Sequence, residues 1–425
     1  MSQPSSFAPP ALSRAQAERL LHEEPFGSRH VRIVVLAFAA WIFDFYDLLL
    51  YSFLLVPVAR ELHLTPAESS LALGTSLLMT ALGGIVFGFL GDRFGRRPTI
   101  AATVAIYGIG TALCAASHSL GQLIIYRSIT GLGIGGGWAP GQSLVAESVP
   151  ADRRARYAAY VQTGAPLGGL LAAAAAGFLA PHIGWRATFL VSAAPAAVVL
   201  AAVLMWLPES DVWLRNARSP APRGQAAALL EYRRILTMLF VVVLLNSEAY
   251  WFTYTWMPGY LQMQRGLSTA SASKLMIAMQ LGAVIGYASF GGFADRIGRR
   301  PTFSTYGIAM ALGLLPPTLF FTSVVGTPGL LVSAMVLAGF GTGLWSGMAP
   351  MISEMLPTRI RNTALGLLLN VTRGFQFFTP LAITFLGARV GFGATLSLGA
   401  IFSAIAAALV WILPETRGRT ITDLD

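Results

Sequence analysis

Long apolar runs alternate with short polar breaks along this chain. Runs able to cross a hydrocarbon core of about 30 Å, about 20 residues each, fall near residues 33–57, 70–90, 99–117, 121–146, 156–180 and 186–207. After a polar stretch they resume near 236–260, 271–293, 302–322, 328–352, 362–387 and 393–413. Lipid offers no partner for an open strand edge, so each run is expected to be helical. The pattern predicts an all-α membrane protein with twelve transmembrane helices in two six-helix bundles, 33–207 and 236–413. Tails over 1–32 and 414–425 and a linker over 208–235 complete it. Residues 11–24 read either as a short amphipathic helix or as part of a solvated tail.

The polar breaks repeat. Gly91–Thr99 reads GDRFGRRPT and Ala294–Thr302 reads ADRIGRRPT. An acid, a glycine and several arginines cannot lie in hydrocarbon, so each copy is a tight loop between spans. Glu147-Ser-Val-Pro150, followed by Arg153, Arg154 and Arg156, has its counterpart in Glu354-Met-Leu-Pro357, followed by Arg359 and Arg361. Two devices used twice, roughly half a chain apart, make the halves related and pseudo-symmetric. Basic residues orient the whole. Arg60, Arg186, Arg265, Lys274 and Arg389 fall on one face and Arg127 and Arg373 inside spans; the rest of the 29 Lys and Arg share the other face with both termini. That face is expected to be cytoplasmic, in a plasma (inner) membrane.

Composition agrees: 55% of residues are hydrophobic and 11% charged, against about 25% charged in soluble proteins. The net charge of +10 does not signal nucleic acid, because the arginines form short clusters without a basic face or stacking platform. One cysteine, Cys114, excludes an intramolecular disulfide and reads as packing. Residues 1–31 lack an apolar signal segment, so no cleavable signal peptide is expected. Gly131, Gly133, Gly135, Gly136 and Gly137 follow no strand and precede no Lys-Ser/Thr, so they are not a phosphate loop. Like Gly339, Gly341, Gly343 and Gly347, they let helices approach closely. No nucleophile–base motif or metal cluster appears; no enzyme activity, cofactor or metal is expected.

Ionisable residues inside a bilayer are costly and point to function. Asp44, Asp47, Arg127, Glu248 and Arg373 lie within spans, all but Arg127 near mid-depth. Asp44 and Asp47, three apart, share a helix face. Two close carboxylates do not easily both ionise, which suits proton carriers; a structural tie from one of them to Arg127 is the alternative. Arg373 has a planar fork matched to a carboxylate. Asn370, one turn earlier, and Gln376 are grouped with it for substrate, as is Arg127; an Arg373–Glu248 pair is the alternative. Tyr250, Trp251 and Tyr254 beside Glu248 offer flat rings to a cavity, or to lipid and the membrane interface. Three acids against two arginines leave one negative charge in excess. An anionic substrate would deepen that excess unless a proton entered with it. The histidines, at 22, 30, 63, 118 and 182, lie outside the span interiors, so the relay is expected to use Asp44, Asp47 and Glu248.

Over essentially its whole length the chain resembles a major facilitator superfamily transporter. GDRFGRRP between helices 2 and 3 resembles the superfamily signature, with ADRIGRRP its second copy; Arg127-x3-Gly131-x3-Gly135 resembles the arginine–glycine motif of helix 4. Pro208-Glu209-Ser210 and Pro414-Glu415-Thr416 resemble the tails of sugar porters. Phe43-Asp44-Phe45-Tyr46-Asp47, Gly184-Trp185-Arg186 and Asn370-x2-Arg373 are most similar to bacterial organic-acid:proton symporters of the sialate, aromatic-acid and metabolite types. Gly135-Gly-Gly-Trp138-Ala-Pro140 departs from the sialate type, where an acid often stands. The resemblance implies the major facilitator fold, rocking alternating access, and gates built from Asp92, Arg93, Arg96, Arg97, Asp295, Arg299, Arg300, Glu147 and Glu354. Asp92 would face the start of helix 11 and pair with Arg96, and Asp295 would do the same toward helix 5; loop solvation and topology signalling are the alternative. The expected activity is proton-coupled import of a small organic carboxylate by a monomer whose partners are that anion, H+ and the lipid bilayer. A neutral sugar or polyol symporter and a drug:proton antiporter are the alternatives.

Overall fold

A computed structural model describes residues 27–149, 151–216 and 229–417. The tail segment 11–24 lies outside them, as do the side chains of Arg153, Arg154, Arg156 and Arg359. No strand occurs among the described residues. The N-terminal bundle holds α1 (Ser28–Glu61), α2 (Pro66–Phe94), α3 (Arg96–Cys114), α4 (Leu120–Ser148), α5 (Ala151–Gln162, Gly164–Ala174 and a π turn Ala175–Leu179) and α6 (Ala180–Trp206). The C-terminal bundle holds α7 (Arg233–Met263), α8 (Thr269–Ile297), α9 (Arg299–Thr318), α10 (Pro328–Gly341, a 3-10 turn Thr342–Leu344, Trp345–Glu354), α11 (Thr358–Phe375 and Phe378–Val390) and α12 (Phe392–Leu409, Val410–Ile412). Among the described residues, seven continuous helical stretches are long and apolar enough to cross a membrane, one of which, Tyr157–Trp206, carries α5 into α6. The remaining spans, α3, α4, α9 and α11, all carry arginines.

Corresponding helices pair in both halves. α4 packs on α2 and α3, and α10 packs on α8 and α9. Glycine makes this possible: a Cβ at Gly135 would stand 1.8 Å from the Thr80 carbonyl oxygen, and one at Gly339 1.7 Å from that of Met279. Between bundles, α2 packs on α11, α5 on α8, and α1 on α7.

We call the face holding the two signature loops the terminal face. There Arg96 pairs with Asp92 at 2.8 Å and with Glu147 at 2.8 Å, and Arg299 with Asp295 at 2.7 Å and Glu354 at 3.0 Å. Burial works against the Arg96 charge, but Glu147 and Asp92 outweigh it and hold its pKa above the usual value. The Glu209 carboxylate accepts from the backbone N–H groups of Arg96 (3.0 Å) and Arg97 (3.1 Å), capping α3. Glu415 caps α9 in the same way through Arg299 (2.8 Å) and Arg300 (3.0 Å). Arg97 also donates to the Leu204 carbonyl, and the Arg93 guanidinium lies 5.4 Å from the Phe94 ring. The Asp92 and Asp295 side chains are 77% and 73% exposed. Their ion pairs among the described residues stay within their own bundles; the side chains at the starts of helices 11 and 5 that Asp92 and Asp295 are expected to face lie outside the described residues.

On the opposite face a short chain of hydrogen bonds joins the bundles. Trp256 of α7 donates to the Ser70 hydroxyl of α2 at 3.1 Å, and Ser70 in turn hydrogen-bonds Thr384 of α11. Gly184, at φ 77, kinks α6 near its start. Trp185 and Arg186 after it both donate to Glu61, at 2.5 and 2.9 Å.

Candidate functional site

A cavity of about 850 Å³, counting the space at its mouth, lies between the bundles. The N-terminal bundle supplies Trp41, Phe45 and Leu48 from one face of α1, Thr80 of α2, Ile134 and Trp138 of α4, and Gln162 and Ala165 of α5. The C-terminal bundle supplies Ser247, Tyr250 and Trp251 of α7, Tyr287 of α8, Trp345 of α10, and Leu369, Thr372, Arg373 and Gln376 of α11. Aromatic rings dominate and brace one another. Trp41 meets Phe45 edge-on at 4.9 Å and lies 6.5 Å from Trp138; Tyr250 stacks on Tyr254 at 4.2 Å.

Among the described residues, Arg373 is the one charged side chain lining this cavity. Its guanidinium sits 5.8 Å from the Trp138 ring centroid. No hydrogen bond or ion pair holds it among the described residues. Gln376 donates to the Ser247 hydroxyl and keeps its carbonyl oxygen without a partner. A flat anion could lie between the rings with its carboxylate on Arg373.

Of the residues expected to touch substrate, Arg373, Gln376, Tyr250 and Trp251 line the cavity, and three others do not. Asn370 donates to the Gly366 carbonyl at 2.9 Å, and its Oδ1 lies against Gly84 of α2, at the seam between bundles. Tyr254 stands behind Tyr250, its hydroxyl donating to Gln280 at 3.3 Å. Arg127 is buried inside the N-terminal bundle, donating to Ser76 at 3.0 Å with its guanidinium 5.2 Å from the Tyr51 ring. The alternative Arg373–Glu248 pair is absent: Glu248 accepts from the Thr379 hydroxyl at 2.6 Å, beside the break in α11.

The helix-1 acids face different charges. Asp47 lies in the field of Arg127, whose Nη1 donates to its backbone carbonyl at 3.4 Å. Asp44 interacts with Asp47 and, across the bundles, with Arg373. Both aspartates are buried, with carboxylate oxygens that have no hydrogen-bond partner.

Sequence reasoning named Trp251 but overlooked Trp41, Trp138 and Trp345. Trp138 and Trp345 stand at the same spacing before Glu147 and Glu354, the acids of the second repeat. The duplication therefore marks them as equivalents, and both line the cavity. Trp41 and Phe45 lie one turn apart on α1, and nothing in a helix apolar all round told their face from the others.

A profile of the Major Facilitator Superfamily matches residues 36–292 and 274–423. The chain is 30% identical to a cis,cis-muconate transport protein of Acinetobacter baylyi, over 86% of this chain and 91% of the relative. It is 28% identical to a niacin transporter of the same organism, over 94% and 97%. A crystal structure of a D-xylose-proton symporter superposes with a TM-score of 0.76 at 21% identity, covering 92% of this chain and all of that one; at that identity the likeness is one of fold.

Proposed function

Because the chain belongs to the major facilitator superfamily, we propose that this multi-pass membrane transporter imports a small, flat organic carboxylate together with a proton. The observation that carries the reading is Arg373, an unpaired guanidinium in an otherwise uncharged, aromatic-walled cavity. A neutral sugar does not need that charge, and a cationic drug would be repelled by it. Relatives named for muconate and niacin, both carboxylates, add support.

Asp44, whose field reaches Arg373, supplies the coupling. With Asp44 ionised, the guanidinium is partly neutralised by the protein's own acid. Protonation of Asp44 frees Arg373 for the substrate carboxylate, so anion and proton load together. Asp47 with Arg127, and Glu248 at the break in α11, are the further proton-coupling groups. The two signature loops with Glu147 and Glu354 act as gates, and the terminal face is cytoplasmic by its arginines. The protein is then an inner-membrane monomer.

Uptake into proteoliposomes of radiolabelled niacin, benzoate, cis,cis-muconate and xylose, with and without an inward proton gradient, tests the proposal. The acids are expected to accumulate with the gradient and xylose is not. Arg373→Gln is expected to weaken apparent affinity for the acids by about a hundredfold, the scale of truncating one partner of a buried charge pair. Preference for xylose, or acid uptake indifferent to the gradient, would sink it.

A further inference from the structure

A second, smaller space adjoins the central cavity on the far side of two tryptophans. It lies within the N-terminal bundle, against Ala40 and Asp44 of α1, Ile100 of α3, and Gly137, Gly141 and Gln142 of α4. Trp41 and Trp138 line both spaces and so form the wall between them. Its lining extends from Asp44 to Ile100, which stands four residues from Arg96 at the terminal-face start of α3. It has room for about one water molecule and none for an organic acid.

Two buried polar atoms beside it have no protein partner: Asp44 Oδ1 and Trp41 Nε1. With the Gln142 side chain they provide the two to four polar contacts that an internal water needs. Glycine keeps the passage open. Gly141 has no atom within 4 Å of where a Cβ would stand, and a Cβ at Gly137 would sit 2.7 Å from Asp44 Oδ2. The groups facing Asp44 are Asp47 on its own helix, Tyr107 of α3 and Arg373 of α11. Arg373 lies on the cavity side, beyond Trp138. Its positive charge opposes a hydronium leaving that way, whereas the crevice residues of α4 and α5, Gly137, Trp138, Gly141, Gln142 and Val161, are uncharged.

We propose that Asp44 releases its proton to the terminal-face solution through this water-sized crevice, by a route separate from the one the acid takes. The Asp44 carboxyl O–H gives its proton to a crevice water, leaving the carboxylate toward Arg373, and the hydronium passes the proton past Gln142 to bulk water. The acid leaves through the central cavity. The inference rests on the proton-coupled reading above.

Filling the crevice separates the two routes. Gly141→Leu, reconstituted and assayed with a radiolabelled mixture of niacin, benzoate and cis,cis-muconate, is expected to lose gradient-driven accumulation by about tenfold. Acid-for-acid exchange at equal pH, which needs no net proton release, is expected to stay within about twofold. Ala40→Leu, which fills the same space from α1, is expected to behave alike. A wild type without gradient-driven uptake would overturn the coupling reading itself. A wild type that accumulates the acids, beside variants that accumulate them equally well, overturns the crevice route alone. So does loss of exchange in both variants, since the two routes would then not be separable.

Discussion

At the scale of single residues, the contact between Gly137 and Asp44 makes the sharpest demand. Alanine there would place a methyl 2.7 Å from the carboxylate, so the side chain of Asp44 must swing away. In a helix, Gly→Ala by itself stabilises by up to about 1 kcal/mol, so the variant should be no less stable than the wild type. Gly137→Ala is expected to keep its melting temperature in detergent and lose most gradient-driven acid uptake. Retained uptake would show that the Asp44 position does not matter. Which polar residues belong to the site was partly legible: Arg373 and Gln376 reach the cavity as the sequence suggested. Asn370, Arg127 and Tyr254 do not, for one physical reason. Spacing along a helix says which residues share a face, but in helices apolar all round it does not say whether that face meets a cavity, a bundle seam or lipid. Asn370 shares its turn with Arg373 and yet is claimed by Gly84 of α2.

Helices and their ends were legible to different degrees. Lipid forces helical backbone, so the twelve spans and their duplication could be read from hydropathy and the two repeated loops. The caps could not. Glu209 and Glu415 close the starts of α3 and α9 from 113 and 116 residues away, and in the sequence they are only a likeness to sugar-porter tails. Glu415 carries an electrostatic signature. Burial pushes its pKa up, but the backbone N–H groups of Arg299, Arg300, Arg417 and Thr416 outweigh that and hold it below the usual carboxylate value of 4.5. With a depressed folded-state pKa, the cap's charge-dependent stability is fully present above pH 4.5 and is lost as pH falls through the lower folded value. Glu415→Gln is therefore expected to cost about 1 kcal/mol at pH 7, as loss of a helix cap does, and progressively less below pH 4.5. Thermal melts of both proteins in detergent from pH 7 to pH 3.5 check this; a constant gap between the two curves would exclude the charged cap.

The whole molecule is a pair of bundles joined at the face opposite the signature loops, and a transporter working by alternating access must part them there in turn. What holds the closed face is a short chain of hydrogen bonds across the seam, from Trp256 of α7 to Ser70 of α2 and on to Thr384 of α11. Ser70 is buried, so its hydroxyl is a common node with no competing water. Removing it by Ser70→Ala strips both contacts from one position, at about 1 kcal/mol each in net terms. That free energy is lost by the closed arrangement alone, since the partners separate when the face opens. The ratio of open to closed molecules on that face should then rise by about tenfold or more. Spin labels at Ala67→Cys and Ala388→Cys, on the ends of α2 and α11 that flank the seam, report the change, and the buried Cys114 stays unlabelled. A longer inter-label distance should gain population in Ser70→Ala, and Thr384→Val should give a smaller shift because Trp256 keeps its acceptor. Unchanged distance distributions in Ser70→Ala would mean that close packing, such as that of Leu55 against Gly259 and Ser273 against Gly177, holds this face without the hydroxyl chain.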